Sequence, residues 1–257
     1  MIPAQRQQQI LALIADQKVV QVQQLSKQFN VSVLTIRRDL DLLAKQKLIE
    51  RTHGGATLRR SLAIEPTYSQ KALEYPQQKV AIAHTCASLI EEGDTVFINS
   101  GSTTSEVLRA LQGMNITIVT NNIDAAWLAN EGAQFRLIFV GGQYRTRSHS
   151  VSGNLAACVI EQIYANKAII GIDGFSLTEG LTTPVMEEAE TTRSMIRQTA
   201  GKVIVAASSN KIGVISNFKT VKASAIDVLV TDSDAQQLLT QQELEEIGIK
   251  LIIAHEG

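Results

Sequence analysis

Two stretches of the chain gather side chains suited to chemistry. One is Ser32-Val33-Leu34-Thr35-Ile36-Arg37-Arg38-Asp39-Leu40, where two adjacent arginines follow small polar residues. A guanidinium offers a planar fork of donors that matches phosphate oxygens and base edges. The other is Asn99-Ser100-Gly101-Ser102-Thr103-Thr104, which runs into a helical pattern beginning near Ser105. Amides at a helix start carry partial positive charge, glycine lets the loop approach closely, and the hydroxyls complete an anion cradle for which phosphate is the fitting guest. The loop has neither the lysine of GxxxxGK[ST] nor the spacing of GxGxxG. On residue types alone, an ordinary Ser/Thr-rich turn with a helix cap explains it equally well. Other apolar runs also end in polar groups: Asn121 in Thr120-Asn121-Asn122, Arg145 after Gly141-Gly142, Asp173-Gly174, and Glu179-Gly180-Leu181-Thr182-Thr183. Each alone is only a turn. Together they supply a cation, amides, hydroxyls and a carboxylate, enough to surround a small phosphorylated polyol.

The arginine pair needs a helix held from behind. Ile36, Leu40 and Leu43 recur at i, i+4 and i+7 and make one apolar face, while Ser32 serves as an N-cap that launches Val33, Thr35, Arg37 and Arg38 outward. Upstream lie two amphipathic segments, residues 6–15 with Ile10, Leu13 and Ile14 inward and residues 22–29 with Leu25 and Phe29 inward. Downstream, residues 48–51 and 56–58 flank a turn at His53-Gly54-Gly55. Three helices followed by a Gly-tipped ribbon predict a winged helix-turn-helix over residues 1–58. Its last helix is expected in a DNA major groove, with Arg51 and His53 of the wing on the backbone beside it. Asp39, between Arg38 and the apolar face, is expected to orient an arginine. Charge supports this reading: residues 1–60 hold ten Lys/Arg and four Asp/Glu, a net +6, inside a chain whose total is −1. The cationic end suits DNA phosphates and the anionic body does not.

The anion loop needs a sheet. Periodicity lapses over residues 59–78, where Pro66 and Pro76 fall, so this stretch reads as a linker. Over residues 79–257 short apolar runs at 95–99, 116–119, 135–140, 167–172, 202–206, 228–230 and 250–253 alternate with helical patterns at 79–91, 105–111, 123–130, 154–164, 185–200 and 234–247. That alternation predicts a doubly wound, mostly parallel α/β domain whose ligands bind at the carboxyl ends of its strands. With 44% hydrophobic and 19% charged residues the chain has a globular composition, and its 4% aromatic content argues against stacking surfaces for sugars or single strands. Cys86 and Cys158 sit singly in apolar helical patterns and read as reduced core residues of a cytoplasmic protein. No apolar run has the length of a signal core or a membrane span, so neither export nor membrane attachment is expected.

Arg6, Ile10, Ile14, and Ser32 followed by Thr35-Ile36-Arg37-Arg38-Asp39-Leu40, with Arg51 and His53-Gly54-Gly55-Ala56 behind them, resemble in spacing throughout the signature of the DeoR-type bacterial repressors. The resemblance implies a sugar-phosphate sensor domain related in fold to ribose-5-phosphate isomerases. It implies phosphate on Ser100, Gly101, Ser102, Thr103 and Thr104, with Asn121, Arg145, Asp173 and Lys211 addressing the rest of the ligand. Lys211-Ile212-Gly213 is similar to the family's lysine-containing loop, but Ser208 stands where that family usually has Asp, and Thr192 where Lys is expected. Both departures remove charge from the pocket. The same fold also hosts aldose-ketose isomerisation, which needs a base over carbon and an acid or cation on the carbonyl oxygen. Asp173 supplies one half of such a pair, yet no lysine lies between Gly174 and Ala189, and a winged helix has no purpose in an isomerase. The expectation is a repressor of a carbohydrate-utilisation operon, without catalytic residues, metal or cofactor. Its expected partners are double-stranded operator DNA, a phosphorylated sugar or sugar-acid effector, and further copies of itself in a dimer or tetramer.

Overall fold

The amino-terminal elements close because their apolar residues fall on facing surfaces. In the computed structural model, which describes residues 2–17, 19–46, 48–52, 54–58, 60–61 and 65–255, these are helix α1 (Pro3–Gln17), strand β1 (Val19–Gln21), helices α2 (Val22–Phe29) and α3 (Val33–Lys45), and the ribbon β2 (Ile49–Thr52) and β3 (Gly55–Leu58). His53 lies outside the described residues. Ile10, Ile14, Leu25, Ile36, Leu40, Leu43 and Ile49 share one core, with Leu13 and Phe29 partly buried at its edge. Strand β1 adds to the three helices and ribbon read from the sequence, giving the antiparallel order β1-β3-β2. Three residues are too few for an alternation to register. Gly55 is required at this seam, because a Cβ there would stand 1.7 Å from the Val20 carbonyl oxygen.

The stretch read as linker is more structured than its lapse in periodicity suggests. After β4 (Arg60–Ser61) comes α4 (Tyr68–Leu73), opened by a capping box in which Thr67 and Gln70 bond each other's backbone amides. Six residues show no 3.6-residue period, which is why composition alone reads through them.

The remaining elements are α5 (Pro76–Ala87), β5 (Thr95–Ile98), α6 (Ser102–Ala110), β6 (Thr117–Thr120), α7 (Asp124–Asn130), β7 (Arg136–Phe139), β8 (Gln143–Arg145), β9 (Ser150–Ser152), α8 (Asn154–Ile160), β10 (Ala165–Gly171), β11 (Gly174–Ser176), β12 (Gly180–Thr183), α9 (Met186–Arg197), β13 (Thr199–Ala206), β14 (Ile215–Ser216), β15 (Phe218–Lys219), β16 (Val228–Asp232), α10 (Gln241–Glu245) and β17 (Lys250–Ala254). Seven strands form one parallel sheet in the order β17-β16-β13-β10-β5-β6-β7. Successive residues serve opposite faces. Val96, Ile98, Ile118, Ile169, Ile204 and Val230 join the core under α5, α6 and α7, while Phe97, Val119, Ile170, Val205 and Leu229 join the core under α8 and α9. The chain builds β5, β6 and β7 outward and then returns to place β10 on the other side of β5. The carboxyl ends of β5 and β10 therefore flank the point where strand order reverses, the place at which open α/β sheets bind ligands.

Two expectations are corrected. The single helix expected over 234–247 is broken, because Thr240 and Glu243 form a second capping box that starts α10 afresh. Cys158 is exposed rather than core, since α8 buries Ala156 and Ile160 and turns position 158 the other way; Cys86 is fully buried.

Candidate functional site

At the reversal point the chain is stitched by Asn99, whose side-chain oxygen accepts from the Gly171 amide at 2.7 Å while its nitrogen donates to the Gly171 carbonyl at 2.9 Å. This locks the end of β5 to the end of β10. The next residues are equally constrained: the Ser100 amide donates to Asn121 Oδ1 at 2.8 Å and its hydroxyl to the Ser148 carbonyl at 2.9 Å. Helix α6 begins at Ser102, earlier than the Ser105 expected, so the amides of Ser102, Thr103 and Thr104 belong to a first turn and have no intrahelical acceptors. The Thr104 hydroxyl donates to the Asn99 carbonyl at 2.7 Å and braces the loop from inside. The result is a rigid, positively polarised loop with the Ser102 and Thr103 side chains at its rim.

Ser100, Gly101, Ser102, Thr103, Asn121, Asp173 and Lys211 line a single cleft. Thr104 and Arg145 stand behind its wall. Sequence reasoning missed several residues that line it with them: Tyr68, Lys71, Ser148, Glu188 and Thr220. Thr192, noted as a departure, also faces the cleft, where its hydroxyl accepts from Asn99 at 3.2 Å. Ser208 instead hydrogen-bonds Asn210 at 2.7 Å. The cleft's charges are paired within the protein. Lys71 Nζ donates to Asp173 Oδ1 at 2.5 Å, and Thr183 donates to the other Asp173 oxygen at 2.9 Å. Arg145 donates to Glu65 at 2.7 Å and its Nε lies 3.5 Å from Glu188.

Burial alone would raise the Asp173 carboxyl, but the ammonium groups of Lys71 and Lys211 outweigh it and hold the pKa below the ordinary carboxylate range. Burial would likewise lower Lys71, and Asp173 reverses that to a net rise. For Glu188 burial prevails and the carboxyl is pushed up. Lys79, buried behind α4 and donating to the Lys71 carbonyl, is brought down to about 8 by burial and by its neighbour Lys211. Among the described residues no group of three or more His, Cys, Asp or Glu is placed to hold a metal ion.

The second site is the outer face of α3. Ser32 caps it, accepting from the Thr35 amide at 3.1 Å and sharing a hydrogen bond with the Thr35 hydroxyl at 2.9 Å. Val33, Arg37 and Arg38 are exposed and Thr35 is half-buried. Leu34, not singled out from the sequence, is 58% exposed beside Val33, which puts an unusual apolar surface at the helix start. Asp39 does orient an arginine, but the partner is Arg6: Nε meets Oδ2 at 2.6 Å and Nη2 meets Oδ1 at 3.3 Å, both side chains buried. Arg51 is occupied by the Gly55 carbonyl at 3.0 Å and by Asp41 at 3.1 Å, so it staples the ribbon to α3.

A winged helix with a free arginine pair, followed by a parallel α/β domain with an anion-suited cleft at its reversal point, defines a DNA-binding regulator with a sensor domain. Residues 6–61 match the family model described as the DeoR-like helix-turn-helix domain, and residues 74–233 match that of the DeoR C terminal sensor domain. The chain belongs to the DeoR family of transcriptional regulators. It is 30% identical to the HTH-type transcriptional regulator GolR of Listeria innocua over 99% of this chain and 100% of that one. It is 33% identical to the glycerol-3-phosphate regulon repressor of Escherichia coli, covering 94% of this chain and 97% of that one. A partial structural likeness, TM-score 0.39 with 14% identity, links 52% of this chain to 53% of ribose 5-phosphate isomerase A from Methanocaldococcus jannaschii. The match therefore spans about half of that enzyme's length. No helix among the described residues is long and apolar enough to cross a membrane.

Proposed function

We propose that the protein represses a carbohydrate-utilisation operon and is released from its operator when a phosphorylated sugar or sugar acid binds the cleft. The observation that carries this reading is the anion loop, with unpaired first-turn amides at the point where strand order reverses. The names of the relatives point to the same chemistry, one being a glycerol-3-phosphate regulon repressor. Phosphate sits on residues 100–104, with Asn121, Asp173 and Lys211 addressing the rest of the ligand and Arg145 acting from behind through Glu188. The domain division that goes with this reading is a DNA reader over 1–58, a linker over 59–78 and a sensor over 79–257. The protein works in the cytoplasm by binding, not turnover, because Lys211 and Thr183 of the sensor frame, with Lys71, stabilise the Asp173 carboxylate as an anion and make it a poor base. Homodimers or homotetramers present paired α3 helices to repeated half-sites, because one small winged helix buries too little surface to outcompete bulk DNA.

Isothermal titration of the purified protein against a panel of sugar phosphates, each paired with its parent sugar, tests the reading. Binding of at least one phosphate ester, no binding of its parent sugar and loss of operator retention on addition support it. Conversion of an aldose phosphate to a ketose by the same preparation, abolished by Asp173→Asn, would replace it with the isomerase reading.

A further inference from the structure

Three of the charges around the cleft are matched by the segment that joins it to the winged helix. Arg145 donates to Glu65 at 2.7 Å, Lys71 to Asp173 at 2.5 Å, and Lys211 Nζ lies 4.0 Å from Glu74 Oε2. Between these contacts the Tyr68 hydroxyl donates to Ser105 at 2.9 Å, and its ring stacks on His149 at 4.5 Å. The segment thus reaches the cleft through Tyr68 and Lys71, and about 60 Å³ is left free there. Small-molecule sites typically enclose roughly 300–1,000 Å³. A phosphorylated sugar does not fit while the segment lies where it does.

Charge decides which contacts give way. An anion on the first-turn amides of α6 enters a neighbourhood that holds four carboxylates: Glu65, Glu74, Asp173 and Glu188. Asp173 follows β10 and is held by Thr183, and Glu188 is on α9, so both belong to the sensor frame. Glu65 and Glu74 ride on the strap. Its pairing is incomplete, because Glu65 Oε1 and Arg145 Nε are buried without a hydrogen-bond partner. Buried polar atoms left in that state favour any arrangement that satisfies them.

We infer that residues 65–74 are a built-in competitor for the cleft: an anionic ligand takes Lys211 away from Glu74, repels the Glu65 carboxylate that Arg145 holds behind the wall, and lifts the strap, whereas an uncharged polyol cannot make that exchange and is excluded. The inference rests on the reading of residues 100–104 as an anion loop. Lifting the strap reaches the DNA-binding end, because the neighbouring β4 pairs with β14 of the sensor and follows directly on the wing.

Hydrogen exchange on the whole chain, in millimolar inorganic phosphate against sodium chloride of equal ionic strength, tests it. Phosphate is expected to slow the amides of residues 100–105 and to speed those of residues 65–74, while xylitol, an uncharged polyol, changes neither. In the E65Q/E74Q variant the strap exchanges faster without phosphate, and phosphate binds several-fold more tightly. Slower exchange in both segments would overturn the inference, since the strap would then be closing on the anion. Protection at 100–105 with an unchanged strap would also overturn it and leave the anion-loop reading standing. Absence of any protection at 100–105 would remove that reading and the inference together. If xylitol protected 100–105 as phosphate does, the charge exchange would be wrong. Should the double variant fold poorly, E74Q alone carries the same expectation, because that carboxylate is 40% exposed.

Discussion

Arg37 and Arg38 differ from every other arginine of the winged helix with a described side chain, because Arg6 and Arg51 are both engaged inside the domain. Arg37→Ala is therefore expected to cost about 1–3 kcal/mol of operator affinity and to relax preference at one base, measurable by gel shift against a set of single-base operator variants. An unchanged affinity would show that the residue does not face the groove. Asp39→Ala has a different consequence: it leaves Arg6 buried and unpaired, and is expected to destabilise the domain by roughly 3–5 kcal/mol in urea unfolding, while Arg6→Met/Asp39→Leu together cost far less. That Asp39 would orient an arginine was legible from its place beside the apolar face. Which arginine it orients was not, because 33 positions of sequence separation leave no periodic trace. Lys79 gives a pH signature. Its pKa of about 8 in the fold lies below its unfolded value, so the unfolded chain holds more protons between about pH 8 and 10.5 and stability rises with pH across that window. The stability of the wild type relative to Lys79→Met, measured by denaturation, should rise as pH goes from about 7 to 10. Parallel curves would mean that Lys79 is not depressed.

At the scale of elements, the seven strands were legible as short apolar runs, buried on both faces in the middle of the sheet and less so at its edges β7 and β17, and their ends marked the cleft through the reversal rule. The place of residues 100–104 at a strand end was legible for the same reason, although the helix that follows starts earlier than the hydroxyl run suggested. On the proposed reading the start of helix α6 holds the phosphate, so Ser102→Glu is expected to place a carboxylate against the first-turn amides and occupy them. The variant should still bind operator but fail to respond to any phosphate ester that releases the wild type. Release at wild-type ligand concentrations would move the site elsewhere. The strap was not legible as part of the cleft. Glu65, Lys71 and Glu74 lie 80, 102 and 136 residues from partners such as Arg145, Asp173 and Asn210, and nothing in composition connects such positions. The capping box at Thr67 and Gln70 was its one local signal, and it announces a helix without saying what the helix covers.

For the whole molecule the decisive features are the uneven charge and the physical continuity between its ends. The amino-terminal 60 residues carry +6 within a total of −1, so operator binding should weaken steeply with salt. Removing one phosphate-contacting cation, as in Arg38→Ala, should lower the slope of log affinity against log salt by about one. The two ends also touch directly: Gln8 of α1 donates to the Gln236 carbonyl at 3.3 Å, and Ile215 and Leu238 of the sensor pack against the winged-helix core. A ligand that shifts the sensor therefore acts on a body that is already in contact with the reader. Thermodynamic linkage then makes a prediction independent of any structural route: if an effector weakens operator affinity by some factor, saturating operator DNA weakens effector affinity by that same factor, typically 5- to 150-fold or ~1–3 kcal/mol. Titrating one phosphate ester into free protein and into protein saturated with operator duplex, at one salt concentration, measures that factor from the effector side. A factor well above one would establish that cleft and groove are coupled. A phosphate ester that binds equally well in both cases would shift no population, and the cleft would have no part in regulation.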